Sequence, residues 1–191
     1  FPIPRDWDLS FVIDPHPQKA TAWNLFAESP DGKIYIIDEA DIEGDVEQIC
    51  QVIRARCADK RIGWQMIDPA AGEQGARIHG RGKLIDEFRK HLPKIVKAKN
   101  AVYPGVNAVQ QLVADGPGGP RLQTFRSCPV THFQMKNLSW KGPTPTGEDR
   151  KRAEIVKRNE DHCDCVRYRI YTAPPGQSIQ NVSFNIGVYA N

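Results

Sequence analysis

Phe11-Val12-Ile13-Asp14-Pro15-His16-Pro17 runs three apolar residues into a carboxylate and then into prolines. Such a run predicts a strand buried on both faces. Pro15 has no N–H to donate and fixes its own φ, so the strand must stop beside it. Asp14 is thereby placed at the open end of a core strand, on rigid backbone. In α/β sheets that rim is where sites are built. Taken alone, an Asp-Pro after a strand is most simply a turn.

The same grammar occurs twice. Trp64-Gln65-Met66-Ile67-Asp68-Pro69 again runs from apolar residues into Asp-Pro, and Asp161-His162-Cys163-Asp164 opens a helical stretch near the end. Carboxylates converging from separate elements are what hard, oxygen-seeking Mg²⁺ or Mn²⁺ requires. Together the three blocks point to a divalent-metal site.

A chain of 191 residues is most simply one domain, or one domain with a tail. Its 40% hydrophobic and 26% charged content is that of a globular protein. No apolar run reaches the length of a membrane span, and no signal peptide is expected ahead of the first strand. The opening Phe1-Pro2-Ile3-Pro4 reads as a fragment of something longer. Five cysteines without a CxxC pair argue for reduced thiols rather than a disulfide framework or structural zinc. A net charge of +3 permits a nucleic-acid partner without demanding one.

Residues 21–27 predict a second strand, Ser29-Pro30-Asp31-Gly32 a turn, and residues 33–37 a third strand closing an antiparallel meander. Asp38-Glu39 would then stand at a strand terminus, as reserve supports for the site. Residues 45–57 place Val46, Ile49, Cys50, Ile53 and Cys57 on one helical stripe, with a crossover to the strand ending at Asp68. Gly80-Arg81-Gly82-Lys83 fails as a phosphate loop, because Arg77 replaces the first glycine and Leu84 the Mg²⁺-binding hydroxyl. Further helices are predicted over 84–92, over 104–114 with Val113 inward, and over 130–138 with Phe133 inward. Short strands are expected at Ile95-Val96 and at 122–125.

Residues 141–158 are polar and basic, which beside an acidic metal site suits DNA phosphates. Asn159 is placed to cap the last helix. On that helix Cys163, Val166 and Ile170 form an apolar stripe, with Asp161, Asp164 and Tyr168 on another face. The alternating tail Val182, Phe184, Ile186, Val188 is strand-like.

Three of these pieces, Asp14-Pro15-His16-Pro17, the strand ending at Asp68, and Asp161-His162-Cys163-Asp164-Cys165-Val166-Arg167-Tyr168, carry a resemblance. The chain resembles the C-terminal nuclease domain of phage terminase large subunits, the DNA-packaging motors of tailed phages. The last piece is similar to that family's Asp-His-x-x-Asp-Ala-Leu-Arg-Tyr block, and Cys128 leading into Phe133 and Trp140 is similar to the segment before it. The likeness extends from Trp7 to Tyr171.

The resemblance implies an α/β, RNase H-like fold, a mixed central sheet flanked by helices over residues 1–173, with a tail at 174–191. It implies a two-metal endonuclease using Mg²⁺ or Mn²⁺ to cut concatemeric double-stranded DNA, with Asp14, Asp68 and Asp164 as catalytic metal ligands. The late block is one residue shorter than the family pattern, so Asp161 stays beside Asp164 as a candidate ligand. Asp164 is preferred because the exposed N–H groups of a first helical turn already give Asp161 a structural reason to exist. Lys94, Lys97, Lys99, Lys141, Arg150 and Lys151 are candidates to hold the duplex. By the same resemblance the partners are an ATPase half absent from this sequence, a small terminase subunit and a portal, in the host cell cytoplasm. Two other roles fit the same residues. One is another RNase H-like nuclease, such as a resolvase or transposase core; the other is a non-catalytic DNA- or motor-docking module.

Overall fold

The structure, a computed structural model, describes residues 1–73, 82–114, 116 and 118–176. Strands β1 (Asp8–Asp14), β2 (Thr21–Glu28) and β3 (Ile34–Ile42) form an antiparallel meander. Between β2 and β3, Gly32 takes a φ of +75° and its N–H closes the turn on the Ser29 carbonyl at 2.8 Å. Helix α1 (Val46–Arg56) starts at a reciprocal cap, in which the Asp45 side chain accepts from the Gln48 N–H and Gln48 returns the bond.

The chain then crosses over to β4 (Ile62–Ile67), parallel to β1. Helix α2 (Leu84–His91) leads to β5 (Ile95–Lys97), parallel to β4. Helix α3 (Val102–Val113) precedes β6 (Leu122–Thr124), which pairs parallel with β3. Helices α4 (Pro129–Asn137) and α5 (Asp161–Thr172) follow. The six strands lie in the order β5-β4-β1-β2-β3-β6.

Side chains of a strand alternate between faces, so β1 sends Phe11 and Ile13 one way and Val12 the other. Phe11 and Ile13 join Ile49, Ile53, Leu84, Ile85 and Phe88 of α1 and α2 in one core. Val12 joins Leu112, Cys128, Cys165, Val166 and Ile170 in a second core on the opposite face. The sheet is therefore sandwiched between helices, with β1 and β2 at its centre.

Several expectations need correction. β3 runs on to Ile42, so Asp38 and Glu39 lie inside the strand rather than at its end. Asp38 accepts from Arg56 at 2.8 and 2.9 Å, and Glu39 takes the Val130 and Thr131 N–H groups at the start of α4, each at 2.7 Å. Phe133 points outward, 58% exposed, because α4 buries Thr131 and Gln134 instead. Val113 is exposed as well.

Asn159 does not cap α5. It adopts a left-handed φ of +54°, which Asn tolerates, and Glu160 takes the cap position. Nor is α5 amphipathic: every residue from His162 to Ile170 is buried. It lies on β1 and β2 and is covered by α3 and α4, so its polar groups must find partners inside the protein. The strand-like tail and residues 74–81 of the glycine-rich loop lie outside the described residues.

Candidate functional site

The parallel register of β1 and β4 pairs Ile13 with Ile67. The next residue of each strand is an aspartate, and the Asp68 N–H bonds the Ile13 carbonyl at 2.9 Å. Asp14 and Asp68 thus leave the sheet side by side. Two residues back, Val12 and Met66 both pack in the α5-side core, so the alternation turns both carboxylates towards α5. The first turn of α5 brings Asp161 and Asp164 to the same place.

The electrostatics follow. Burial, and then the negative charges of Asp68, Asp164 and Asp161 in that order, raise the Asp14 carboxyl well above the usual aspartate range, while Lys157 pulls the other way. No hydrogen-bond donor among the described residues reaches the Asp14 carboxylate.

The other acids are held. Tyr168 Oη donates to Asp68 Oδ1 at 2.9 Å, and the Ala70 N–H reaches the same oxygen at 3.2 Å. Burial and the charges of Asp68, Asp164 and Asp14 push the Tyr168 phenol upward, so it stays protonated and donates. Asp164 is 5% exposed at its side chain. Its Oδ1 accepts from Arg167 Nε and Nη2 at 3.1 and 2.9 Å, and its Oδ2 from Lys157 Nζ at 2.7 Å. Arg167 is fixed in turn by Asn100 Oδ1 at 2.7 Å and lies 4.5 Å over the Tyr168 ring. Only a glycine fits opposite it, since a Cβ on Gly105 of α3 would come within 2.6 Å of Arg167 Cγ. Asp161 carries Lys19, from the β1–β2 connection, on its two oxygens at 2.7 and 2.8 Å.

Among the described residues no three acids, imidazoles or thiols are drawn close enough to enclose an ion as they stand. The reason is visible: Asp68, Asp161 and Asp164 are each turned onto a protein donor. The donor set nevertheless fits a hard divalent cation. It is all carboxylate oxygen, and its Asp14 carboxylate accepts no hydrogen bond among the described residues and ionises against three like charges. The thiols do not compete for such a role, for burial and the Asp164 and Glu160 charges push Cys163 up to about 12. The five cysteines are all free.

Sequence reasoning found Asp14, Asp68, Asp161 and Asp164, and the structure brings all four together. It gave no role at the acids to Arg167, Lys19 or Lys157, and it placed Tyr168 on the acid-bearing face of α5 without a partner. Arg167 was within reach, because a residue three on from Asp164 shares its helix face. The other three touch the acids only through the tertiary fold. The candidate DNA-contact residues fall in two groups. Lys94 precedes β5, Lys97 ends it and Lys99 follows it, whereas between α4 and α5 Lys141 pairs with Glu154, Lys151 pairs with Glu148, and Arg150 lies over the ring of Tyr103 of α3.

Solved structures share this fold. The large terminase of the thermophilic bacteriophage D6E matches with a TM-score of 0.69 at 18% identity, over 90% of this chain and 41% of that one. The P22 large terminase nuclease domain matches with a TM-score of 0.67 at 16% identity, over 90% of this chain and 84% of that one. The fold is that of a large-terminase nuclease domain. The large-terminase nuclease of the thermophilic phage G20c, solved with bound cobalt, matches at a TM-score of 0.55 and 10% identity, over 85% of this chain and 80% of that one.

The RNase H-like mixed sheet expected from the terminase resemblance is thus present, and the chain spans about two fifths of the D6E terminase. No protein-family model and no curated protein matches the sequence. Among the described residues no helix is long and apolar enough to cross a membrane.

Proposed function

We propose that this domain is the endonuclease of a phage DNA-packaging terminase, a divalent-metal-dependent enzyme that cuts concatemeric double-stranded DNA. The observation that carries this is the meeting of Asp14 and Asp68, at adjacent strand ends, with Asp164 on α5, around an Asp14 carboxylate whose charge is unfavourable until a cation arrives. A terminase nuclease of the same fold takes up cobalt, which supports the choice of a divalent ion.

Asp14, Asp68 and Asp164 would hold the metals, with Asp161 at the margin. Asp164 is favoured because it is the more buried of the two and its charge bears more strongly on Asp14. When bound, a pair of Mg²⁺ or Mn²⁺ ions would supply an activated water and offset charge on the leaving oxygen. The rest is done by the chain. Tyr168 fixes the orientation of Asp68, and Arg167 fixes that of Asp164. The β1 and β4 backbones keep Asp14 and Asp68 in register. Basic side chains outside the acid cluster would bind the phosphates of the duplex.

The D6E terminase extends well beyond the matched region and has been solved with ADP. An ATPase half, a small terminase subunit and a portal are accordingly proposed as partners, with the host cell cytoplasm as the setting. The residues 174–191 are proposed as a tail outside the nuclease domain.

Plasmid nicking in EDTA, Mg²⁺ and Mn²⁺ tests the proposal. Cleavage is expected only with metal, on any sequence, and to fall steeply with salt as phosphate contacts are screened. Asp164→Asn should abolish it and Asp161→Asn should only weaken it. Unchanged cutting by Asp14→Asn would overturn the assignment and favour a docking module with structural acids.

A further inference from the structure

Asp164 is held twice, and the two holds are unlike. Arg167 grips Oδ1 with two nitrogens from one turn along the same helix, is itself tied to Asn100, and is buried. That grip is enough to place the carboxylate. Lys157 takes the other oxygen, Oδ2, at 2.7 Å, from a side chain that is 63% exposed and lies ahead of α5. It adds nothing to the positioning that Arg167 has not already supplied, and it can leave without repacking the core.

The second contact of Lys157 points the same way. Its ammonium lies 3.4 Å from Glu160 Oε1, and Glu160 is 7% exposed at its side chain. Glu160 Oε2 is buried and, among the described residues, has no hydrogen-bond partner. Around it Glu160 Oε2 still lacks a partner among the described residues, and the Asp14 carboxylate lies close enough to feel the Lys157 charge. Lys157 is thus the exposed one of the two cations on Asp164, and it also faces Glu160.

We infer that Lys157 is a displaceable stand-in cation: it occupies the Asp164 oxygen that a divalent ion needs, and must be evicted for the metal site to load. The inference rests on the function proposed above and adds a self-competitor to the same site. Lys157 keeps the buried acids compensated while no ion is bound. A doubly charged ion with oxygen ligands then takes over that compensation, and the lysine head moves to solvent along its exposed stem. Lys19 does not play this part, because it covers both oxygens of the more exposed Asp161.

The test is Mn²⁺ binding without DNA, read from the electron paramagnetic resonance signal of free Mn²⁺, on the 191-residue protein and its variants. Lys157→Gln removes the competing charge and should bind Mn²⁺ about five-fold more tightly, the scale of an exposed ion pair. Lys157→Arg restores a cation and should bind as the native protein does. Lys136→Gln, which removes one positive charge from the exposed side of α4, should also match the native protein. Asp14→Asn should lose binding.

If Lys157→Gln binds no more tightly than native protein while Asp14→Asn still loses the ion, the stand-in is overturned and the metal site stands. Equal tightening by Lys157→Gln and Lys136→Gln would overturn it too, since net charge would then explain the gain. Absence of Mn²⁺ binding in native protein and Lys157→Gln alike would overturn both proposals.

Discussion

On the face covered by α1 and α2, the sheet meets Ile49, Ile53, Leu84, Ile85 and Phe88, and those helices turn their charges to solvent. On the face covered by α5 it meets Cys165, Val166 and Ile170, but also His162, Asp164, Arg167 and Arg169, all of them buried. The strands between are the same. What differs is how the helices meet the cost of burial. An apolar face gains from water exclusion alone. A face with buried charges is stable only when each is paired, and the pairing fixes where each atom sits. Arg169 shows this: it reaches Ser10 at 2.7 Å, Glu28 at 2.6 Å and the Ala173 carbonyl. So does His162, which lies 2.8 Å from Asn24 Oδ1 and 3.3 Å from Asp41. Packing on the first face tolerates exchange among apolar residues; on the second it holds a charge constellation in register.

The contrast is sharpest at Asp14. Asp14→Asn should reduce metal-dependent cleavage to background, yet make the metal-free protein more stable. The folded protein favours the protonated acid and the unfolded chain does not, so ionising Asp14 pulls the native protein towards unfolding. The penalty is absent below about pH 4 and grows as the pH rises towards the raised Asp14 value. Thermal melting of both proteins across that range checks it, with the variant's advantage widening as the pH rises. A variant less stable than native protein at neutral pH would break the comparison.

Phe88→Ala should do the reverse. It opens a cavity in the apolar core and should cost about 3–5 kcal/mol in urea unfolding, while the folded fraction still cuts. Tyr168→Phe removes only the hydroxyl on Asp68. A loss of about 1 kcal/mol is expected, with a drop in cleavage larger than the folded fraction explains. Identical activity per folded molecule would show that Asp68 needs no such support. Smallest of all, Phe133→Ser on the exposed side of α4 should change stability by less than about 0.5 kcal/mol.

The apolar face was the more legible of the two. Val46, Ile49, Cys50 and Ile53 fall at helical spacing, and Asp45 with Gln48 marks the helix start, so α1 follows from local rules. The ends of β1 and β4 were legible for a similar reason, since proline dictates where each strand stops. On the other face local rules misled. Periodicity gave α5 one apolar stripe, but a helix enclosed by β1, β2, α3 and α4 has no solvent side to reserve for polar residues. Phe133 failed in the same way, because α4 is anchored by Glu39 and by the bond from Asn24 to Thr131, which no spacing within α4 encodes. Asp14 and Asp68 could be read because each sits at a break in the apolar pattern, and Asp161 and Asp164 because they open a helix as an acidic cluster within a block that resembles the family's. Their keepers could not, because Lys19 and Tyr168 meet Asp161 and Asp68 from 142 and 100 residues away, and Lys157 meets Asp164 from the irregular chain ahead of α5.

The Glu28 carboxylate has a mechanical consequence. One of its oxygens holds Arg169 of α5 at 2.6 Å, and the other takes the N–H of Gly176, just beyond that helix, also at 2.6 Å. Helix and outgoing chain are thus moored to one post at the end of β2. The last turn of α5 and the backbone at Gly176 are therefore set in place against the sheet by the two oxygens of one carboxylate.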